Sequence, residues 1–314
     1  MNPNERKVRD ILFLTRESFR VAEIEDPERE AAFLISHYIN CKPVELSLKG
    51  DEFISEEQYR DLSYAIRRRF RHEPSQYIIG EQEFYGYTFK VRPGVLIPRP
   101  ETELLVDEVK KSLNAKKKDA PPVPFILDLC TGSGALALAL ANELPSSRLI
   151  ATDISRAALG IANENALSLG LSKRVGFLLG DLYAALKEYS PDAGLKDEIS
   201  LTSDSLEGSF DYIVSNPPYV STSEYKVLAS EIKDYEPKEA LVAGPDGLKF
   251  IKKVVLGAAE WLKPGGTLMI EIGFDHSRAV KTLIKETGSF TAIELAPDLS
   301  GIARVVTARR KKRV

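Results

Sequence analysis

Apolar positions from Asn4 to about Tyr77 recur at three-and-four spacing: Ile11, Leu12, Leu14 and Phe19, then Ala31, Ala32, Phe33, Ile35 and Tyr38, then Tyr59, Leu62, Ala65, Ile66 and Phe70. That period is the one a helix needs to bury a stripe against its neighbours, so a small helical bundle is expected. Ser55-Glu56-Glu57-Gln58 reads as an N-cap followed by an acidic first turn. The run Arg67-Arg68-Arg69 with Arg71 is expected to be a solvated charged face. From Glu81 to Val91 the period drops to two around Tyr85-Gly86-Tyr87, the pattern of a β-hairpin. Pro98-Arg99-Pro100-Glu101-Thr102-Glu103 then leads into a helix over Leu104–Leu113, with proline and acids at its start as capping chemistry. Asn114 to Pro124, with its lysines and prolines, reads as a flexible linker.

After the linker, strand-like and helix-like segments alternate, which signals an α/β fold with a mainly parallel sheet. Strands are expected at Phe125–Leu129, Leu149–Thr152, Val175–Leu179, Phe210–Ser215, Leu268–Ile272, Phe290–Leu295 and Ile302–Thr307. Helices are expected at Ala135–Glu143, Arg156–Leu169 and Leu248–Leu262, the last stopped by Lys263-Pro264-Gly265-Gly266. Lys187 to Ser209 is polar and rich in Gly, Ser and Asp, so it reads as a mobile excursion. The expected organisation is a helical bundle over 1–78, a hairpin linker over 79–97 and a larger domain over 98–314.

Composition narrows the classes. With 314 residues, 43% hydrophobic and 28% charged, the chain fits one large and one small globular domain. A net charge of −3 gives no overall pull toward nucleic acid. Two distant cysteines and three histidines argue against a metal cluster and for a reducing, cytoplasmic location.

The chemistry centres on Asn216-Pro217-Pro218-Tyr219, directly after an apolar strand that the prolines must end. In an open α/β sheet, ligands bind beyond such carboxyl ends. Neither proline has an N–H to offer, Asn216 adds a carbonyl oxygen, and Tyr219 adds an aromatic face. This set suits a planar NH2 group whose lone pair is delocalised. Holding both of its N–H bonds aims that lone pair at an electrophile and favours the charge that develops on nitrogen.

A Gly-rich turn, Asp128-Leu129-Cys130-Thr131-Gly132-Ser133-Gly134, lies between the first strand of this region and its helix. Its glycines allow a ligand close to the backbone. Asp153, at the next strand end, is placed to accept two ribose hydroxyls, and Asp181 with Leu182 offers a polar edge and an apolar wall to an adenine. Asp128 is read both as a loop-fixing carboxylate and as a neighbour of the cofactor's ammonium group. The turn alone does not separate a nicotinamide cofactor from S-adenosylmethionine. The NH2-orienting tetrapeptide favours methyl transfer.

These residues resemble the release factor glutamine methyltransferases. The likeness runs through Pro98 to Glu103, Asp128 to Gly134, Asp153, Asn216 to Tyr219, Tyr235-Glu236-Pro237, Asp246-Gly247-Leu248, Glu271-Ile272-Gly273 and Asp298 to Gly301 with Arg304-Val305-Val306. It implies a Rossmann-like class I S-adenosylmethionine-dependent methyltransferase domain with a seven-stranded sheet behind an N-terminal helical domain. It also implies methylation of the glutamine in the Gly-Gly-Gln loop of peptide chain release factors. Cofactor contacts carry over to Cys130, Thr131, Gly132, Ser133, Gly134, Asp153, Leu182 and Asn216, and substrate contacts to Asn216, Pro217, Pro218 and Tyr219. Cys130 stands where many relatives have glycine, a change tolerated if that position needs only a negative φ.

The expected mechanism is in-line transfer without a metal, in which Asn216 Oδ1 and the Pro217 carbonyl accept the two amide protons and Tyr219 packs on the amide. Glu101 and Glu103 are general-base candidates by family analogy and helix caps by the simpler reading. A monomer without stable nucleic-acid or membrane partners is expected. Two alternatives stand beside it: a methyltransferase acting on an exocyclic amino group of a DNA or RNA base, kept alive by the tail Arg309 to Arg313, and a nucleotide-binding scaffold without catalysis.

Overall fold

In a computed structural model of the chain, which describes residues 6–116, 121–187 and 206–312, the apolar runs from Phe125 onward form one sheet. Most of the Lys187–Ser209 segment, part of the Asn114–Pro124 linker and Arg313 of the tail lie outside the described residues. The chain divides into two compact units, Met1–Glu81 with Ala229–Tyr235, and Gln82–Leu228 with Glu236–Val314.

In the first unit, helices span Val8–Val21, Pro27–Tyr38, Glu56–Arg69 and Ser75–Ile79. Ser55 caps the third through a reciprocal pair: its hydroxyl accepts from Gln58 N–H at 3.1 Å, and the Gln58 side chain accepts from Ser55 N–H at 2.9 Å. The arginine run is only partly the solvated face its charge predicts: Arg67 and Arg71 are exposed, and the other two are not. Arg69 is buried, and its guanidinium donates to Glu30 and Glu231, each at 2.6 Å. Arg68 donates to Glu73 at 2.7 Å. The planar fork of a guanidinium holds two carboxylates at once, so burial here is compensated.

The second unit opens, from Gln82, within the hairpin of β1 (Glu81–Phe84) and β2 (Tyr87–Lys90). Its turn residues Tyr85 and Gly86 both take positive φ, 53° and 75°. Phe84 and Phe89 are fully buried in this unit's core. The main strands are β3 (Phe125–Leu129), β4 (Arg148–Asp153), β5 (Val175–Leu179), β6 (Phe210–Ser215), β7 (Leu262–Glu271), β8 (Phe290–Pro297) and β9 (Ala303–Arg310). They form a seven-stranded sheet in the order β5-β4-β3-β6-β7-β9-β8, parallel except for β9 against β7 and β8.

Both faces of this sheet are covered, which explains why its strands are apolar on both sides rather than alternating. Ile126, Tyr212 and Met269 point into one core, whereas Leu127, Ile213 and Ile270 point into the other. Helices at Glu103–Lys116 and Ala135–Glu143 contribute to the first, and those at Lys249–Trp261 and Ser277–Glu286 to the second. The helix at Ser277–Glu286 goes beyond the elements expected from sequence. Lys263-Pro264-Gly265-Gly266 does not separate helix from strand as expected but belongs to β7. β7 is irregular there, pairing with β6 at Leu262 and again only from Thr267, which accommodates a proline.

The order reverses between β3 and β6. From β3 the chain runs outward through β4 and β5, then returns to lay β6 on the other side. A crevice beyond the carboxyl ends of the strands follows from that reversal.

Candidate active site

The register aligns the predicted site residues along one edge. Leu129 pairs with Thr152 on one side and with Ser215 on the other, so the loops starting at Cys130, Asp153 and Asn216 leave neighbouring strands together. Asp153 pairs with Leu179, which adds the Gly180-Asp181-Leu182 turn.

Within the Gly-rich loop, Gly134 takes φ 80°, and a Cβ there would sit 3.1 Å from both Ala162 and Leu138 side chains. Glycine therefore serves both the turn and the close helix packing. Cys130 departs from its expected geometry: its φ is 62°, so the position needs the left-handed conformation that glycine adopts freely. A cysteine there costs about 1–2 kcal/mol of backbone strain. Burial pushes the half-buried thiol's pKa up, with Asp153 and Asp128 adding to the effect.

Asp153 organises the loop. Its Oδ2 accepts from Gly132 N–H and its Oδ1 from Ser155 N–H, both at 2.8 Å. Each carboxylate oxygen keeps a second lone pair for a ligand hydroxyl. Burial raises its pKa, opposed by the amides of Ser155, Gly132 and Ile154. Asp128 lies beneath the same loop and accepts from the Thr131 hydroxyl at 2.6 Å. Burial pushes its carboxyl up to about 7, against the pull of Thr131 and a weaker one from the Ala137 amide. Its Oδ1 is buried with no donor at bonding geometry. Asp181 is exposed and paired with Lys253 Nζ at 2.6 Å, while Leu182 beside it is buried with φ 52°.

At the end of β6, Pro217 and Pro218 are buried, and Asn216 and Tyr219 are half-buried. Asn216 Nδ2 donates to Thr102 Oγ1 at 2.8 Å, leaving Oδ1 as the free end of the amide. Thr102 donates to Glu271 Oε2 at 2.6 Å, and Tyr219 Oη donates to Glu271 Oε1 at 3.2 Å. Tyr219's polar tip is thus spent inward, and its ring is what remains for a ligand. Burial and the neighbouring Glu271 charge raise its pKa, so the phenol stays protonated.

The family described as PrmC N-terminal domain matches residues 10–80, and the family described as Methyltransferase domain matches residues 125–298. The release factor glutamine methyltransferase of Rhodopirellula baltica is 36% identical over 300 residues, covering 96% of this chain and 95% of that protein. The chain belongs to the release factor glutamine methyltransferase family. A second relative of that name, from Thermodesulfovibrio yellowstonii, is 39% identical over 90% of this chain and 93% of its own length. Among solved structures, the hMettl16 catalytic domain in complex with MAT2A 3'UTR hairpin 6 superposes with a TM-score of 0.52 at 13% identity, over 83% of each chain. That likeness concerns the fold.

In this member of the glutamine methyltransferase family, several buried groups outside the residues predicted for the site shape it. Glu236 accepts from Ile97 N–H at 3.0 Å and from Arg99 at 2.5 Å, pinning the segment that carries Thr102. Gly247, at φ 68°, lies against the Tyr219 carbonyl, where a Cβ would come within 2.3 Å of that oxygen. Glu103 is occupied by Tyr85 N–H at 2.7 Å, and Glu101 is exposed. Motif resemblance marked Thr102, Glu236, Gly247 and Glu271, but nothing in their spacing disclosed what they touch.

Proposed function

We infer that this enzyme transfers a methyl group from S-adenosylmethionine to the side-chain amide nitrogen of a glutamine in peptide chain release factors. The observation that carries the site assignment is the Asn216 amide, whose Nδ2 is committed to Thr102 while Oδ1 stays free beside the Gly-rich loop. An amide NH2 is the complementary donor.

The residues present fit the cofactor. Asp153 has lone pairs for ribose hydroxyls, Leu182 gives an adenine an apolar wall, and the buried Asp128 Oδ1 is an unspent acceptor for a cation. The loop from Cys130 to Gly134 would offer its backbone to the cofactor. S-adenosylmethionine supplies an electrophilic methyl group on a sulfonium. For their part, Asn216 Oδ1 and the Pro217 carbonyl hold the two glutamine N–H bonds, and the Tyr219 ring packs against the amide plane and excludes water. Methylation leaves the nitrogen with an acidic surplus proton, so no strong base is required, in keeping with a Tyr219 phenol held protonated. We place the target glutamine in the Gly-Gly-Gln loop. A monomer is part of the same proposal. The net charge of −3 supports a protein acceptor rather than nucleic acid, and the free Cys41 and Cys130 support a cytoplasmic enzyme.

The test is methyl transfer from labelled S-adenosylmethionine to purified unmethylated release factor, with tRNA, rRNA and DNA as parallel acceptors. A single methyl on the Gly-Gly-Gln glutamine, located by peptide mass spectrometry, is the expected outcome. Label entering only nucleic acid would overturn the substrate.

Cofactor affinity should also depend on pH. Asp128, with its pKa pushed up to about 7, is mostly neutral at pH 6 and mostly ionised at pH 8. A cofactor ammonium group pairing with it lowers that pKa, so binding releases a proton and affinity rises with pH. Titration calorimetry should show ~10-fold tighter binding at pH 8 than at pH 6, and a much flatter response in Asp128→Asn.

A further inference from the structure

Glu271 ends β7, and the pairing of Ser215 with Ile270 places it level with Asn216 on the adjacent strand. It is 1% exposed, an expensive position for an acid unless its oxygens are used. Both are: one accepts from the Thr102 hydroxyl, the other from that of Tyr219. An apolar side chain would fill the same space at lower desolvation cost.

We propose that Glu271 is a positioning residue for methyl transfer, fixing through Thr102 which end of the Asn216 amide faces the substrate. This rests on the reading of Asn216 as the acceptor for the glutamine amide. A carboxylate accepts only, so Thr102 must spend its one proton on Glu271. The Thr102 oxygen is then left to accept, and only the NH2 end of Asn216 can meet it. The opposite rotamer would set lone pair against lone pair. The Oδ1 end is thereby turned toward the crevice before substrate arrives, which is preorganisation.

Protonation would undo the device. A neutral Glu271 can give its proton to Thr102, releasing the Thr102 proton toward Asn216 Oδ1 and letting the amide turn. Burial brings the Glu271 pKa to about 7; the Thr102 and Tyr219 hydroxyls and Arg304 pull it down, and Glu101 pushes it up. Arg99 also acts on the neighbouring Tyr219. With the acceptor-only state favoured above neutrality, the methyl-transfer step should speed up as pH rises through about 7.

The experiment measures single-turnover methyl transfer at saturating cofactor and release factor, across that pH range, in wild type, Thr102→Val, Thr102→Ser and Glu271→Gln. Calorimetric Kd values for both ligands and the thermal midpoint are taken alongside. Thr102→Val should lose ~10–100-fold in rate with both Kd values within about twofold, and Thr102→Ser should recover most of the loss. Glu271→Gln, which can offer either end of its own amide, should lose about tenfold and lack the rise with pH. Nitrogen-15 NMR of the Asn216 side chain reads its orientation without substrate: hydrogen-bonded in wild type and Thr102→Ser, released in Thr102→Val. Wild-type rates and pH profile in Glu271→Gln, or an unmoved Asn216 resonance in Thr102→Val, would overturn the proposal. Failure of the parent reading shows separately, as a wild-type enzyme that leaves release factor unmethylated, and the NMR arm then still decides.

Discussion

Replacing Asn216 by alanine is expected to lower kcat by ~10²–10³, the usual consequence of deleting one preoriented polar group at a reacting centre. The change removes Oδ1, the acceptor proposed for one glutamine N–H, and strands the Thr102 hydroxyl without its 2.8 Å donor. It should spare most of the cofactor affinity, because the Gly-rich loop is fixed by Asp153 on the far side of β3 from β6. Steady-state kinetics with release factor, combined with calorimetry for S-adenosylmethionine, separates the two effects. A wild-type kcat would remove Asn216 from the chemistry. A kcat loss matched by equal loss of cofactor affinity would make it a binding residue instead.

Much of the fold could be read from the sequence for one physical reason: both faces of the central strands are covered. Phe125–Leu129 and Phe210–Ser215 are therefore mainly apolar runs, interrupted by Asp128 in the first and by Asp211 and Ser215 in the second, whose ends are marked by a Gly-rich loop and by prolines. Those two runs also locate the crevice, since ligand loops follow parallel strands at their carboxyl ends. What could not be read is whatever depends on pairing over long separations. Arg69 sits in a run of arginines that resembles a solvated face, yet its burial depends on Glu231, 162 residues away. Thr102 reads as helix-start chemistry, and only the fold brings it to Glu271, 169 residues on. Glu271 itself looks like an acid closing a strand. Backbone angle is equally silent in sequence: nothing adjacent to Cys130 announces that its φ is 62°. The Ser277–Glu286 helix, by contrast, was legible: Ala279, Val280, Leu283 and Ile284 recur at three-and-four spacing, the same period that marks the other helices.

Asp153→Ala should be the most damaging change for cofactor binding, and Asp153→Asn nearly as damaging. Both carboxylate oxygens already accept backbone amides, Oδ2 from Gly132 and Oδ1 from Ser155. An asparagine in the same place must turn its NH2 toward one of those N–H groups, donor against donor, so the conservative substitution fails on geometry. Alanine frees both amides, and the loop that should carry the cofactor loses its anchor to β4. Two ribose hydroxyl bonds to a charged group contribute about 1.5–3 kcal/mol each when intact. Even with partial compensation by water, affinity should fall ~10²–10³-fold, at about 1.4 kcal/mol per decade. Because the ribose is shared, S-adenosylhomocysteine should weaken by the same factor as S-adenosylmethionine, which a defect confined to the sulfonium or methyl group would not produce. Calorimetry with both ligands, together with the thermal midpoint of the unliganded protein, makes the comparison. Retained S-adenosylhomocysteine affinity in Asp153→Ala would move the ribose contact to another residue and leave Asp153 as a loop anchor alone.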